Sequence, residues 1–317
     1  MKAQDSSVVS TTDGVPAIQR KPTVALALGA GGAKGLAHIG VIEEIEAQGY
    51  AITAIAGTSI GALIGGIHAA GKLDVYRDWV SALAKFDMLK LVDWTFSGGG
   101  LIKGEKIIGT LRTMIGDVQI EELSLAFTAV ATDIARGREV WLSRGSLFDA
   151  IRASIAIPTV FRPHTINGRM LVDGALLNPV PVTPLIRENA DYLIAVSMDG
   201  TAASPIPPVP ATADEGGAEG YRERIGEFIA RILPHSEGGP REPGTFALLA
   251  ESMDLMQANL AHMRLAAYQP DLLIELPRNA ASAYEFYRAR ELIELGRTRA
   301  RAALANWPVD GTPRRGA

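Results

Sequence analysis

Residues 51–70 read AITAIAGTSIGALIGGIHAA, and the five residues at their centre, GTSIG, set one serine between two glycines. The spacing Gly57-x-Ser59-x-Gly61 matches the nucleophile elbow, a sharp turn in which a strand ends, a helix begins and the serine stands at the apex. A second interpretation is a helix that packs through small residues, because Gly57, Gly61 and Gly65 are spaced four apart. The segments on both sides of the turn decide between the two.

The flanking segments predict alternating strands and helices. Residues 23–29, TVALALG, form a short apolar run that ends in glycine and is typical of a buried strand. Residues 34–48 have apolar side chains at every third position, which predicts a helix that stops at Gly49. Residues 52–56 then predict a second strand, and residues 60–70 a second helix. This alternation implies a parallel sheet covered by helices.

Later segments extend the same pattern. Further strands are predicted at residues 127–132, 139–142, 164–166, 169–172, 192–198 and 271–277. Asn167-Gly168 is a hairpin signal between two of them, and Ser146 opens a helix with Asp149 in a capping-box arrangement. A last helix is predicted over residues 282–305. The expected fold class is α/β, with a central, mostly parallel sheet flanked by helices.

Residues 51–70 also reach the length of a membrane span and contain no Asp, Glu, Lys or Arg. They include glycines, a histidine and the polar residues Thr53, Thr58 and Ser59. A buried strand, turn and helix explain this composition better, because the elbow accounts for the glycines. A membrane-embedded protein that uses this stretch is kept as an alternative.

The composition excludes several classes of function. The chain has 317 residues, of which 47% are hydrophobic, and its net charge is −4 without a strongly basic block. A nucleic-acid partner is therefore disfavoured, because it would require a positive surface. The absence of cysteine excludes disulfides, thiolate zinc sites and cysteine nucleophiles. The first residues lack the apolar run of a signal peptide, so we expect a cytoplasmic protein without a signal peptide or a transmembrane helix.

A nucleophilic serine needs a base, an oxyanion hole and access for its substrate. The candidate hole is GAGGAKG, residues 29–35, which follows the first strand and opens the first helix, where backbone N–H groups suit a developing oxyanion. A nucleotide-phosphate loop is the rival interpretation. It fits poorly, because the Rossmann spacing would place glycine at Lys34, and a P-loop lysine would follow its glycine, whereas Lys34 precedes Gly35.

The base is less obvious than the nucleophile. The chain has five histidines, at His38, His68, His164, His235 and His262. None of them stands on an obvious loop after a strand, where the histidine of a hydrolase triad belongs. Asp173, by contrast, ends a predicted strand and is followed by Gly174-Ala175. Its carboxylate could act as the base directly if it reached the serine hydroxyl, and the alternative is an ordinary Asp-Gly turn.

Four blocks follow one another along the chain: GAGGAKGLAHIG from residue 29, GTSIGAL from 57, ASIAIPTVFRP over 153–163 and DGALLNPVP from 173. Together they resemble the patatin-like phospholipase family, well over residues 22–200 and loosely beyond. The resemblance implies a patatin-like Ser-Asp hydrolase fold, with Ser59 as nucleophile, Asp173 as base, and Gly174 and Ala175 completing the aspartate motif. The implied oxyanion hole consists of the backbone N–H groups of Gly31, Gly32, Ala33, Lys34 and Gly35.

One position departs from the family pattern. The family loop usually reads G-G-G-x-[RK]-G, so its first glycine is Ala30 here, and alanine is small enough that we expect the turn to survive. Lys34 is expected to support the loop by hydrogen bonds to the backbone, or else to be a solvated lysine at the helix start. Asp133, near another strand end, is expected to cap the turn before Arg136-Gly137.

The resemblance implies a serine acyl hydrolase of lipid esters, of the phospholipase or lysophospholipase A type, that works through an acyl-serine intermediate and needs no cofactor and no metal. Its partner would be a lipid or acyl-ester substrate, with peripheral contact to a membrane. The alternatives are a thioesterase or small-ester carboxylesterase of the same fold, and a non-catalytic phosphate- or nucleotide-binding α/β protein. Nothing in the sequence indicates an oligomeric state.

One domain interrupted by an insert is the expected organisation. Composition changes at residue 201, where Pro, Ala and Gly dominate, and residues 221–234 then predict a short amphipathic helix. This helix is expected to cover its own core, with a lid or a membrane-interface helix as alternatives. The expected divisions are a flexible leader at 1–21, a patatin-like catalytic core at 22–200, the insert at 201–243, C-terminal helices and a last strand that complete the same domain at 244–307, and a flexible tail at 308–317.

Overall fold

The computed structural model describes residues 20–83, 100–102, 105–202, 245–305 and 307. Ten strands lie within these ranges: β1 (Thr23–Leu28), β2 (Ala51–Thr58), β3 (Gly100–Ile102), β4 (Ala126–Asp133), β5 (Arg138–Leu142), β6 (Thr159–Phe161), β7 (His164–Ile166), β8 (Arg169–Asp173), β9 (Tyr192–Gly200) and β10 (Leu272–Pro277). Eight of them form one sheet in the order β10-β9-β1-β2-β4-β8-β7, with β5 paired to β4, and β3 and β6 form a separate pair.

The sheet has a parallel half and an antiparallel half. Strands β10, β9, β1, β2 and β4 run parallel to one another, as expected for strands joined by helical crossovers. Strands β5 and β8 run antiparallel to β4, and β7 runs antiparallel to β8. The predicted α/β class with a mostly parallel sheet is therefore confirmed.

Seven α-helices accompany the sheet within the described residues: α1 (Ala37–Ala47), α2 (Ile60–Ala69), α3 (Leu73–Ala82), α4 (Glu105–Ile115), α5 (Leu147–Ser154), α6 (Thr245–Ala267) and α7 (Ala289–Ala305). Helices α1 and α7 touch backbone to backbone, because Cβ atoms at Gly40 and Gly296 would overlap the carbonyls of Ile293 and Ala37. Among the helices of these ranges, none combines the length and the apolar composition that crossing a membrane requires.

Side chains of β1 alternate between two cores, as the two-residue period of a strand requires. Val24, Leu26 and Leu28 join the larger core, which α1, α2 and α7 cover. Ala25 and Ala27 face the other side and pack in a smaller core with residues of β2, β9 and α6. The sheet is thus buried on both faces, which explains why its central strands read as continuous apolar runs.

Most predicted elements are confirmed within one to three residues. Asn167 and Gly168 have φ values of 50° and 71°, the left-handed pair of a two-residue hairpin turn. Ser146 caps α5, where its side chain accepts a hydrogen bond from the Asp149 N–H at 3.2 Å. The membrane-span alternative is wrong, since residues 51–70 form β2, the elbow and α2.

Two helix starts were predicted wrongly. The first helix begins as a 3-10 turn at Gly32–Leu36 before α1. The last one begins at Ala289 and not at residue 282, because Ser282 and Glu285 form a local turn in which the Glu285 carboxylate accepts the Ser282 N–H at 2.9 Å.

The proposed divisions of the chain stay a prediction. The leader up to residue 19, the insert helix at 221–234 and the tail from residue 308 lie outside the described residues. Strand β10 pairs with β9, and α7 packs against α1, so the described C-terminal elements belong to the same sheet and core as the N-terminal ones.

Candidate active site

Ser59 and Asp173 meet because two strands end head to head along one edge of β4. Strand β2 pairs with β4 as far as Thr58, which lies opposite Val130. Strand β8 approaches from the other direction and ends at Asp173, which lies opposite the next residue of β4, Ala131. Because β2 is parallel and β8 antiparallel to β4, their carboxyl ends converge, and the residues at these ends become neighbours.

Ser59 occupies the apex of the turn between β2 and α2. Its backbone lies at φ 57° and ψ −125°, a strained conformation that costs a non-glycine residue about 1–3 kcal/mol. Only 5% of its surface is exposed. A Cβ atom at Gly57 would overlap the backbone of Gly61, and one at Gly61 would overlap the carbonyl of Leu28. The two glycines are therefore required by close backbone approach, as an elbow requires, and Gly57 lies on a strand rather than in a packed helix.

The Asp173 carboxylate lies close enough to Ser59 for a side-chain hydrogen bond from the serine to lower its pKa. It also accepts the Ala175 N–H at 2.8 Å and so caps a short 3-10 helix, Gly174–Leu176. Burial raises the pKa of Asp173 from 3.8 to about 6, although both hydrogen bonds act in the opposite direction. Asp173 thus has the turn role expected of an Asp-Gly pair and also lies next to the serine. A Cβ at Gly174 would overlap the Val130 carbonyl, which explains why glycine follows the aspartate.

The glycine-rich loop carries two backbone N–H groups that donate to no other described residue, those of Gly31 and Gly32. The Ala33 N–H donates to the Ala283 carbonyl at 2.9 Å. Lys34 and Gly35 lie inside the 3-10 helix that begins at Gly32, where amides donate to the carbonyl three residues back. Of the five predicted donors, Gly31 and Gly32 are thus the two whose N–H groups have no acceptor among the described residues. Gly32 has φ +55°, which favours glycine.

Hydrogen bonds from Lys34 and Ala30 hold this loop against the sheet. Lys34 donates from Nζ to the carbonyls of Met198 and Arg278, both at 3.2 Å, so it anchors the loop to the ends of β9 and β10. Ala30 has no positive φ, and its N–H donates to the Pro179 carbonyl at 2.9 Å. Alanine is therefore tolerated where the family pattern has glycine.

His38 lies beneath the loop and takes no part in a triad. Its Nε2 lies 2.8 Å from the Gly29 carbonyl, to which it donates. Complete burial lowers the pKa of His38 to about 4, so the ring is neutral at physiological pH. None of the histidines in the described ranges forms a hydrogen bond with Ser59: His68 contacts Glu46, and His164 contacts Asp149.

Asp133 has the turn role predicted for it. Its two carboxylate oxygens accept the Arg136 N–H at 3.1 Å and the Arg136 guanidinium at 2.9 Å. The hydrogen bond from the Arg136 side chain is the main reason that the pKa of Asp133 lies below its ordinary value.

The sequence analysis missed four residues that contribute to the site. The Ser154 hydroxyl accepts the Ser59 N–H at 2.9 Å. Thr58 donates from Oγ1 to the Asn178 carbonyl at 2.8 Å, and the buried Asn178 amide donates to Glu139 at 2.7 Å. The Ile60 N–H, in the first turn of α2, has no acceptor among the described residues. All four residues lie in the quoted blocks, Thr58 and Ile60 in GTSIGAL, Ser154 in 153–163 and Asn178 in 173–181, but the block patterns alone assign them no role.

Several known proteins are similar to this chain. A family model described as patatin-like phospholipase matches residues 26–186. An uncharacterized NTE family protein of Mycobacterium tuberculosis is 40% identical over 335 residues, which cover 91% of this chain and 93% of that protein. The lysophospholipase nte1 of Emericella nidulans is 31% identical over 55% of this chain and 12% of its own length. The crystal structure of VipD from Legionella pneumophila aligns with a TM-score of 0.43 and 15% identity, over 90% of this chain and 67% of that chain. The family match spans the glycine-rich loop, the elbow and the aspartate motif.

Proposed function

The chain belongs to the patatin-like phospholipase family, and on this premise we propose that it is a serine acyl hydrolase of lipid esters, of the phospholipase or lysophospholipase A type. The observation that carries the proposal is the position of Ser59, held at a positive φ at the end of β2, next to the buried carboxylate of Asp173 at the end of β8. Nucleophile and base side chains within hydrogen-bond reach are the signature of an activated nucleophile.

In the first half-reaction, Asp173 takes the Ser59 hydroxyl proton while Oγ attacks the ester carbonyl carbon. A carboxylate with a pKa of about 6 is a stronger base than an ordinary aspartate and still ionised at pH 7. As the tetrahedral intermediate collapses, the carbon–oxygen bond to the alcohol breaks, and protonated Asp173 returns the proton to the departing oxygen. The acyl group remains on Ser59.

The negative charge of the tetrahedral intermediate needs donors that other groups do not already use. The N–H groups of Gly31 and Gly32 meet this condition, and the Ile60 N–H meets it too, directly after the nucleophile. Ile60 packs against the loop closely enough that a Cβ at Gly35 would overlap its side chain. We assign these three amides to the oxyanion hole, with Lys34 and His38 holding the loop in place.

The second half-reaction regenerates the enzyme. Asp173 removes a proton from water, whose oxygen attacks the acyl-Ser59 carbonyl carbon. The bond to Ser59 Oγ breaks, Oγ recovers the proton from Asp173, and the fatty acid departs. Every step uses one serine, one carboxylate, backbone amides and water.

A lipid ester is the favoured substrate because the family is that of phospholipases and because a relative that matches 55% of this chain is named a lysophospholipase. Such a substrate implies contact with a lipid aggregate. A thioesterase or small-ester carboxylesterase would use the same dyad and differ only in the leaving group. A nucleotide-binding protein would use the 29–35 loop and would have no need of Ser59. The position of Ser59 next to Asp173 therefore argues against a nucleotide-binding function.

The test is labelling with an alkyl fluorophosphonate, followed by peptide mapping, on the wild type and on Ser59→Ala. We expect an adduct on Ser59 that is absent from the variant, and fatty-acid release from lysophosphatidylcholine micelles that the variant lacks. Labelling at Ser59 together with turnover of acyl-CoA but not of lysolipid would replace the lipid esterase by a thioesterase. An unlabelled wild type, also in the presence of vesicles, together with a rise in melting temperature on adding ATP, would contradict the proposed hydrolase.

A further inference from the structure

Ser154, the last residue of α5, connects the elbow to β4 through a single hydroxyl. The side chain is fully buried, and its Oγ lies 2.9 Å from the Ser59 nitrogen and 2.6 Å from the Val130 carbonyl oxygen. A carbonyl can only accept and a backbone N–H can only donate, so the roles are fixed. The Ser154 hydroxyl donates to Val130 and accepts from Ser59.

Val130 is the residue at which β4 exchanges one partner strand for another. It is the last β4 residue paired with β2, and Ala131 is the first one paired with β8. A ladder that changes partner leaves backbone groups at the junction without a strand to bond to, and such groups are costly when buried. The Ser154 hydroxyl satisfies one group on each side of this junction, the Val130 carbonyl and the Ser59 N–H.

The same short segment also holds the base. Two residues after Ser154, the Ala156 carbonyl accepts the Asp173 N–H at 2.9 Å. The backbones of both members of the dyad are therefore anchored to residues 154–156, one through a side chain and one through the main chain. A displacement at Ser154 changes the position of Ser59 relative to Asp173, whereas the Asp173 anchor stays intact.

We propose that Ser154 is a positioning residue for the reaction. Its hydroxyl links the elbow to β4 by hydrogen bonds and thereby sets the distance and direction from Ser59 Oγ to the Asp173 carboxylate. This inference rests on the proposed role of Ser59 as nucleophile. Ser154 touches the backbone of the nucleophile and neither substrate nor reacting atoms, so its contribution is geometric.

The test compares Ser154→Ala and Ser154→Thr with the matched control Ser197→Ala. Ser197 is a buried serine whose hydroxyl accepts the Asp199 N–H at 3.3 Å, so its replacement removes the same group from a similar environment on β9, a strand that carries neither member of the dyad. For each variant, the melting temperature, kcat and KM for lysophosphatidylcholine and the rate of fluorophosphonate labelling at Ser59 are measured.

We expect Ser154→Ala to lower kcat and the labelling rate by about 100-fold, the size of effect that a small misplacement of a reacting group produces. KM should stay within about threefold of the wild type, because the substrate-binding surface is not altered. Ser154→Thr, which keeps the hydroxyl, should be labelled faster than Ser154→Ala, and Ser197→Ala should match the wild type in kcat.

Three outcomes would overturn the inference. One is a folded Ser154→Ala protein that is labelled at the wild-type rate while the wild type is labelled at Ser59, which leaves the proposed function intact. Another is a Ser197→Ala variant that loses as much kcat as Ser154→Ala, which would make the effect one of general destabilisation. The third is a wild type without labelling at Ser59, which removes the proposed function and this inference together.

Discussion

Replacement of Asp173 by asparagine should abolish turnover and yet make the protein more stable at neutral pH. The exchange preserves shape, and the asparagine oxygen can still accept the Ala175 N–H that Asp173 accepts at 2.8 Å. What it removes is a negative charge from a site of which only 4% is exposed. The neutral amide of the variant cannot take the Ser59 proton, so acylation should be lost.

The size of the expected gain in the free energy of unfolding follows from the pKa of Asp173, which burial raises from 3.8 to about 6. Between these two values the folded protein binds a proton that the unfolded chain releases, so the stability contributed by Asp173 falls as pH rises through this window. Each pKa unit corresponds to about 1.4 kcal/mol, so at pH 7.5 the ionised carboxylate destabilises the fold by about 3 kcal/mol. For a chain of this length, that free energy is roughly 5 °C in melting temperature.

The assay is thermal or urea unfolding of wild type and Asp173→Asn at pH 4, 5, 6 and 7.5. The variant should be more stable at pH 7.5 by up to about 3 kcal/mol, and the difference should shrink to less than about 1 kcal/mol at pH 4, where the Asp173 carboxyl of the folded wild type is neutral as well.

Asp191→Asn is the control of opposite sign. Its carboxylate accepts hydrogen bonds from Arg20 and Thr23, and mainly the Arg20 bond lowers the pKa of Asp191 to about 2. This variant should be less stable at pH 7.5. An Asp173→Asn protein that is no more stable than the wild type at pH 7.5, or whose advantage persists at pH 4, would refute the reasoning that burial of the charge governs Asp173.

Two further predictions concern the pH profile and the elbow. Because the base must be ionised, kcat/KM should rise with pH, through an apparent pKa of about 6, and reach a plateau above it; a profile flat from pH 5 to 8 would contradict Asp173 as base. Gly61→Ala should destabilise by more than about 2 kcal/mol in urea unfolding, because its Cβ would overlap the Leu28 carbonyl. Gly109→Ala, in the interior of α4 with no heavy atom within 4 Å of its Cβ, should instead stabilise by about 0.5–1 kcal/mol, and equal effects at the two positions would contradict the close-packing explanation.

Local patterns predicted the strands, the elbow and the hairpin because each depends on neighbouring residues. Strand β2 ends at Thr58, and the turn at Ser59 needs the two glycines that the sequence displays. Helix α3 was missed although its buried residues Leu73, Tyr76 and Val80 have helical spacing. That signal was present and was not used.

The spacing of residues along the sequence does not show that Ser59, Asp173 and the glycine-rich loop come together in space. Ser59 and Asp173 are brought together by the way that β2 and β8 pair with β4. The Ala33 N–H is taken up by a hydrogen bond to the Ala283 carbonyl, 250 residues further along the chain. Such long-range contacts leave no local trace in one sequence. The family resemblance supplied the pairing of Ser59 with Asp173, and the structure supplies its physical reason.

Under the proposed mechanism, the head-to-head meeting of β2 and β8 explains how an aspartate would act as the base without a histidine. In a triad, imidazole bridges serine and carboxylate and contributes a group with an ordinary pKa near 6.5. Here the strands bring the carboxylate next to the serine, so the proposed mechanism needs no bridge, and burial raises the pKa of Asp173 to about 6, close to that of imidazole. The same desolvation destabilises the folded protein and strengthens the base. A substitution that lets water reach Asp173 would therefore gain stability at neutral pH and lose basicity, which couples the two properties at this one side chain.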